Sequence, residues 1–204
     1  MSRLVPIKFK MKDGREGLLR SLEVADAAEI LTVARTVFAK CGQHTLTELD
    51  EFTYTVEQEE KITIKHLEHP DQLMIAPEVN GRLVGLLNFS PGGRRRNSHQ
   101  GEFGVSVLPE YHGLGLGRVM VEALLKWAIR APNIETIRLR VHEKNTNAHA
   151  LYKKLGFVKE GREVRGVRFD QGDYDNVISM AYDVKKFLGY SPHDLVKTSV
   201  SDRN

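Results

Sequence analysis

The sequence predicts an α/β protein built as one domain, and three observations predict it. Stretches with an apolar residue at every third or fourth position alternate with stretches apolar at every second position, from residue 17 to about 184. Residues 116–128 carry the cleanest helical pattern and lie between two alternating segments, 103–107 and 137–141. Asp13-Gly14 and Asn80-Gly81 each sit between apolar runs, as the tight turns of β-hairpins do.

The 204 residues suit one domain with a substantial core. The apolar fraction of 41% and charged fraction of 28% are those of an ordinary globular protein. Thirty basic and 27 acidic side chains leave a net charge of +3, too even a balance to imply nucleic-acid binding. The single cysteine, Cys41, excludes an intramolecular disulfide and a Cys-rich zinc site. No apolar run reaches the roughly 18 residues of a membrane span, and Met1 to Lys10 lacks a secretory h-region. A soluble protein is expected, with the cytoplasm as its compartment and no membrane partner.

Taken in order, Pro6 to Met11 and Gly17 to Leu22 flank the turn-like Lys12-Asp13-Gly14-Arg15 as a first hairpin. Residues 25–39 form a helix with the stripe Ala28, Leu31, Val33, Ala34, Val37 and Phe38, and Val56 to Leu67 form a second. Leu73 to Val79 and Leu83 to Phe89 pair around Asn80-Gly81, with an irregular position at Pro77, which has no N–H for the ladder. The polar loop Pro91 to Gln100 holds Arg94, Arg95 and Arg96. The strand after it, in which Phe103, Val105 and Val107 alternate with Glu102, Gly104 and Ser106, is ended by Pro109. In the helix that follows, Leu116, Val119, Met120, Ala123, Leu124, Trp127 and Ala128 share one face. Ile137, Leu139 and Val141 mark another strand. Asn145 starts a short helix with the face Ala148, Leu151, Tyr152 and Leu155, stopped by Gly156. Phe157 to Phe169 and Tyr174 to Val184 form the last strand pair, and 185–204 form a short helix and loose tail.

His112-Gly113-Leu114-Gly115-Leu116-Gly117 falls between a strand and a helix. A helix N-terminus offers unpaired N–H groups and a positive dipole end, and glycines let backbone wrap closely around a phosphate. Three alternate glycines also suit a tight turn with no ligand. A P-loop is excluded, because Gly117 is followed by Arg118-Val119 and not by Lys-Ser/Thr. The dinucleotide fingerprint is excluded because its third glycine would fall at Arg118.

The segment Val105-Ser106-Val107-Leu108-Pro109-Glu110-Tyr111-His112-Gly113-Leu114-Gly115-Leu116-Gly117 resembles the acyl-CoA-binding strand and loop of the GNAT N-acetyltransferase superfamily, with its Gln/Arg-x-x-Gly-x-Gly/Ala motif. About 30 residues on, Asn145-Thr146-Asn147-Ala148-His149-Ala150-Leu151-Tyr152-Lys153-Lys154-Leu155-Gly156-Phe157 is similar to the second signature, Asn-x-x-Ala-x-x-Leu-Tyr-x-x-x-Gly-Phe. His112 departs from the pattern, standing where the family has Gln or Arg.

The resemblance implies a GNAT-like α+β fold, a central mixed sheet flanked by helices and splayed between parallel strands 101–108 and 134–142. It implies one such domain over 1–204, with a core of about 17–184 and a C-terminal extension at 185–204. Acetyl-CoA would be the acetyl donor, with no metal. Its pantetheine arm would pair with Val105 and Val107 and meet Asn145. Its pyrophosphate would lie on the amides of Gly113, Leu114, Gly115, Leu116, Gly117 and Arg118, with His112 at the start of the loop. Tyr152 would stand near the thioester sulfur. A homodimer is common in that family.

The reaction so implied is attack of a neutral amine on a thioester. An alkyl ammonium of pKa about 10.4 must first lose a proton, costing about 4.6 kcal/mol at pH 7. Glu102, on the strand leading to the cofactor site, is the candidate general base; a surface glutamate is the alternative. Position alone reads Tyr152 as a core tyrosine, whereas the surrounding motif makes it the general acid for the leaving thiolate. The amide of Val107 is the expected oxyanion donor. Arg94 to Arg96 suit either a CoA phosphate or a solvated loop, and His99 a proton relay or a surface histidine. His66 and His69 lack a third ligand for a metal. Between Thr47 and Glu60 the acids Glu48, Asp50, Glu51, Glu57, Glu59 and Glu60 stand without a lysine or arginine. Acidic lining there would favour a cationic acceptor; a solvated acidic loop explains the run equally well. The expectation is transfer to a primary amine of a small molecule. The alternatives are a protein N-terminal or lysine acetyltransferase and a non-catalytic CoA-binding domain.

Overall fold

The computed structural model describes residues 3–185; residues 186–204, nearly all of the expected C-terminal extension, lie outside the described part. A nine-stranded sheet carries the fold, with the order β1-β2-β3-β5-β6-β7-β9-β8 and β4 paired to β3. The strands are β1 (Ile7–Lys10), β2 (Glu16–Ser21), β3 (Leu73–Val79), β4 (Arg82–Leu83), β5 (Gly85–Pro91), β6 (Gln100–Val107), β7 (Thr136–His142), β8 (Val158–Arg168) and β9 (Tyr174–Asp183). The helices are α1 (Ala27–Cys41), α2 (Val56–Glu68), α3 (Leu116–Arg130) and α4 (Thr146–Lys154). Every pair is antiparallel except β6–β7, whose chain crosses over through α3.

Period-two alternation divides the sheet residues between two faces. Leu73, Ile75, Leu87, Phe89, Phe103 and Ile137 pack against Met120, Leu124 and Trp127 of α3, with Phe89 and Trp127 edge to face at 5.6 Å. Met74 and Ala76 face the other way, onto Ile30, Val33 and Val37 of α1. A buried side chain the size of Leu124 or Phe89 stabilises such a core by roughly 1.5–3 kcal/mol. The apolar face of α3 is wider than its sequence pattern, since Val121 and Leu125 are buried too.

The structure shifts two expected elements. Helix α1 turns so that Ala27, Ile30 and Cys41 are buried and Ala28 is exposed, so the stripe starts one residue earlier than expected. The strand expected over 83–89 is broken at Val84, opposite Pro77. Glu78 pairs with Leu83 but Ile75 pairs with Leu87, so residues 84–86 oppose residues 76–77. The N–H of Val84 donates to the Pro77 carbonyl at 2.9 Å, a local bulge where proline interrupts the ladder. At the hairpin tip Asn80 and Gly81 both take positive φ, 52° and 73°, as a tight turn of this type requires. Among the described residues no helix is long and apolar enough to cross a membrane.

Candidate functional site

The sheet opens at β6–β7, the only parallel pair among the described residues. Strands β6 and β7 are in register at Gln100 with Thr136, Gly101 with Ile137 and Glu102 with Arg138, and nowhere beyond. Both strands continue, β6 held by β5 and β7 by β9, so residues 103–107 and 139–142 border a gap. The phase of β6 decides what faces it. The Gln100 carbonyl accepts from Gly92 N–H on the β5 side at 2.8 Å, and Leu108 N–H donates to Val84 there at 3.0 Å. In an antiparallel ladder alternate residues direct both backbone groups to the same side. Phe103, Val105 and Val107 therefore turn theirs toward the gap. The Val107 carbonyl is already taken by His112 Nε2–H at 2.9 Å. The Val107 N–H and both backbone groups of Val105 remain as an open edge.

Beyond β6 a helical turn at Pro109–Tyr111 leads into the glycine loop. Gly113 and Gly115 have φ of 76° and 96°, the left-handed region in which a side chain is strained. Gly115 is also the N-cap of α3 and brings no capping side chain. Among the described residues none of the N–H groups from Gly113 to Arg118 donates to a backbone carbonyl; the first to do so is Val119, to Gly115 at 3.1 Å. A row of orphan donors thus coincides with the positive end of a helix dipole. No heavy atom lies within 4 Å of where a Cβ would stand on Gly113 or Gly115, so this face is open. Gly117 serves packing, since a Cβ there would come 3.3 Å from Leu151 of α4. The Arg118 guanidinium is paired with Glu122 at 2.7 Å, and Leu116 is buried.

A cavity of about 650 Å³ passes through the gap. On the α4 side it is lined by Asn145, Ala148 and Tyr152. Asn145 caps α4 by accepting the Ala148 N–H at 3.1 Å, which leaves its side-chain N–H groups for a ligand. Tyr152 is 6% exposed and packs edge-on against Phe103 at 5.9 Å and Phe157 at 5.8 Å. Burial pushes its pKa up to about 12, and its hydroxyl has no hydrogen-bond partner among the described residues. On the opposite side the cavity is roofed by α1, α2 and the segment between them, including Phe38, Phe52, Tyr54 and Glu59. The exposed Glu102 stands in its wall.

The structure thus brings Glu102, Val105, Asn145 and Tyr152 to one cavity, with Val107, His112 and residues 113–118 at one end of β6. His99 and Arg94 to Arg96 lie at the other end. They are not in the cavity wall, and the eight residues of β6 separate them from the glycine loop, over 20 Å by rough strand geometry. Of the six acids between Thr47 and Glu60, only Glu59 reaches the cavity.

Three lining residues have no motif to announce them. His66, set aside as a metal ligand, shares a face of α2 with Glu59 and Ile62. Its Nδ1 donates to the Ile62 carbonyl at 2.9 Å, so its Nε2 accepts from the Ser90 hydroxyl at 3.3 Å. Burial lowers its pKa and holds it neutral. His142, at the end of β7, is likewise held down by burial, against the opposing pull of Asp175 at 3.7 Å. Asn88 completes the β5 wall. A helical repeat of seven joins Glu59 to His66, but only the folded chain says that this face of α2 looks onto the sheet.

A mixed sheet splayed at a parallel pair, with free main-chain groups along one strand and orphan amides at the helix that follows it, defines an acyl-CoA-dependent N-acyltransferase. Residues 43–157 match the family model described as Acetyltransferase (GNAT) family, and the chain belongs to that family. It is similar to spermidine N(1)-acetyltransferase of Vibrio cholerae, 28% identical over 133 residues, covering 65% of this chain and 75% of that protein. It is also similar to an N-alpha-acetyltransferase of Sulfurisphaera tokodaii, 26% identical over 180 residues, covering 83% and 95% of the two. Among solved structures, a GNAT-family acetyltransferase from Streptococcus pneumoniae has a TM-score of 0.79 at 28% identity, covering 82% of this chain and 99% of that one.

Proposed function

We propose that this protein transfers the acetyl group of acetyl-CoA to a primary amine of a small molecule, and that residues from about 17 to 184 act as one domain in doing so. The observation that carries the reading is that two groups of unsatisfied main-chain donors lie on one connection, Val105 and Val107 on the open edge of β6 and residues 113–118 at the start of α3. Amides free along an extended edge suit the amide-rich pantetheine arm, and amides free at a helix N-terminus suit a pyrophosphate.

Bound there, acetyl-CoA would supply an activated acyl group on a thiol leaving group. The N–H groups of residues 113–118 would hold the phosphates, and Val105, Val107 and Asn145 the arm. The ring of Tyr152 lies beside Phe103, four residues and roughly 13 Å along β6 from Val107. That placement favours Val105 N–H, nearer Tyr152, over Val107 N–H as the donor to the thioester oxygen as charge develops on it. Tyr152 gives a proton to the departing sulfur; burial keeps the phenol protonated through the whole working range of pH. Glu102 accepts the proton of the incoming ammonium directly or through water.

The roof of α1 and α2 favours a small acceptor over a polypeptide, for which an open groove would be wanted. Arg140 is the only lysine or arginine in the described cavity wall and it is held by Glu163 at 2.6 Å, while Glu59 and Glu102 both face the space. Such a wall suits a cationic acceptor. The test is release of CoA thiol from acetyl-CoA across alkylamines, amino acids, aminoglycosides and peptides. Turnover with free amines supports the reading, and turnover with peptides alone overturns its acceptor half.

A further inference from the structure

Glu59 is the one carboxyl in the roof of the cavity, and its surroundings are unusual. The capping box at Thr55 fixes the start of α2, with Thr55 Oγ1 accepting from Gln58 N–H at 3.3 Å and Gln58 Oε1 accepting from Thr55 N–H at 2.8 Å. That phase turns Glu59, Ile62 and His66 inward, while Glu57 on the same helix faces solvent. Glu59 is 6% exposed, and among the described residues its side chain has neither a hydrogen bond nor an ion pair. Among the described residues no histidine or arginine in the wall, His44 included, forms an ion pair with it, and Glu102 brings only like charge. His66 is neutral and engaged with Ser90 and Ile62, His142 is neutral and lies by Asp175, and Arg140 belongs to Glu163. Burial alone raises the Glu59 pKa, with no neighbour lowering it. A carboxyl kept in a cavity wall without a partner is costly unless something that enters the cavity completes it.

We infer that Glu59 is the anchor for a second cationic nitrogen, so that the acceptor is a dicationic amine whose far ammonium pairs with Glu59 while its near amine meets Glu102 and the thioester. The inference rests on the transferase reading and names its substrate class. Approach of the far ammonium favours the ionised carboxylate, so binding expels a proton from any Glu59 that is protonated in the empty cavity. The near amine must become neutral and the far one must remain charged. Separate carboxylates, one at the sheet and one in the roof, permit that division.

The test pairs each α,ω-diamine from diaminopropane to diaminooctane with the monoamine of equal carbon count, measuring CoA release from acetyl-CoA. Wild type should favour the diamine by roughly ten- to a hundredfold in kcat/KM at one chain length, the range of a charge-assisted contact. In Glu59→Gln that ratio should fall toward unity, with the loss in the KM of the diamine. A flat ratio at every length in wild type overturns the inference whether or not the variant folds, and leaves the transferase reading standing as long as monoamines turn over. Equal loss of kcat for both amines in Glu59→Gln also overturns it, assigning Glu59 to proton transfer instead. Absence of turnover with every amine sinks both readings together.

Discussion

The two halves of the cavity are built from different materials. The donor half, on the side of β6 and the glycine loop, consists almost wholly of main-chain N–H and C=O groups left unpaired by a splay and by a helix start. The acceptor half, beneath α1 and α2, consists of side chains from segments far apart in the chain: Phe38, Tyr54, Glu59, His66, Asn88 and Glu102. Backbone groups are the same in every residue, so the donor half is specified by geometry, through glycines at two positive φ values and the alternation of a strand. Side chains differ, so the acceptor half can change its ligand by substitution without disturbing the frame. A fixed donor and a variable acceptor can thus share one fold.

The largest expected effect falls at the seam, on Tyr152, the side chain proposed as the general acid. Tyr152→Phe keeps the ring against Phe103 and Phe157 but removes the hydroxyl, and turnover should fall ~10²–10⁴-fold with CoA affinity little changed. Because burial holds the phenol near a pKa of about 12, any fall in rate above pH 9 belongs to another group and should persist in the variant. Turnover within a factor of about two of wild type would hand the proton to water.

Next is the backbone itself. Gly115 has φ of 96°, where a β-branched residue is strained by roughly 1–2 kcal/mol, and a Cβ would point into the open face of the loop. Relief of that strain moves the loop amides, so Gly115→Val should weaken CoA roughly a hundredfold in calorimetry through a lost charged contact. The same change should leave amine selectivity alone. A folded variant with wild-type CoA affinity would remove the loop from the donor half.

This division also explains what was legible in the sequence. The glycine loop, the Asn145 cap and the position of Tyr152 lie in two short segments whose spacing survives translation into chemistry, and β6 alternates plainly enough to show which residues turn together. The break at Val84 comes from Pro77 on a neighbouring strand, so the strand's own alternation gave no sign of it. The acidic run from Glu48 to Glu60 hinted at a cationic acceptor, but composition gives no direction: one member turns inward and the others do not. His66 was weighed only as a metal ligand without a third partner, because nothing local says that α2 lies over the sheet. The pairing expected of Val107 with the pantetheine arm is left to its N–H alone, because its carbonyl is taken by His112, a side-chain contact that the motif does not announce.

Glu102 sharpens the comparison from the acceptor side. Glu102→Gln keeps the shape and removes the proposed base, so the rate at neutral pH should fall about tenfold. Raising the pH should recover most of that loss, because solvent then supplies the neutral amine. A pH–rate profile overlaying that of wild type would take Glu102 out of the reaction and leave an amine already neutral when bound.

The smallest effect is on stability, and its direction is the informative part. Burial raises the Glu59 pKa above its unfolded value, so the folded chain binds this proton more tightly than the unfolded chain does. Stability linked to Glu59 is therefore fully present below the unfolded pKa and is lost as pH rises through the folded one. Glutamine mimics the protonated form at every pH. Glu59→Gln should thus melt above wild type at pH 8, by a few degrees for each 1 kcal/mol in a chain of this size, roughly 2–4 °C. The difference should shrink toward zero as pH falls below about 4.5, where both states of the wild type are protonated. A variant that gains stability while losing its grip on diamines would mark Glu59 as a group retained for what it binds. A variant less stable than wild type at pH 8, with no trend in pH, would mean that the carboxylate is held by a partner inside the fold. In that case the acceptor half, like the donor half, would be complete before its substrate arrives.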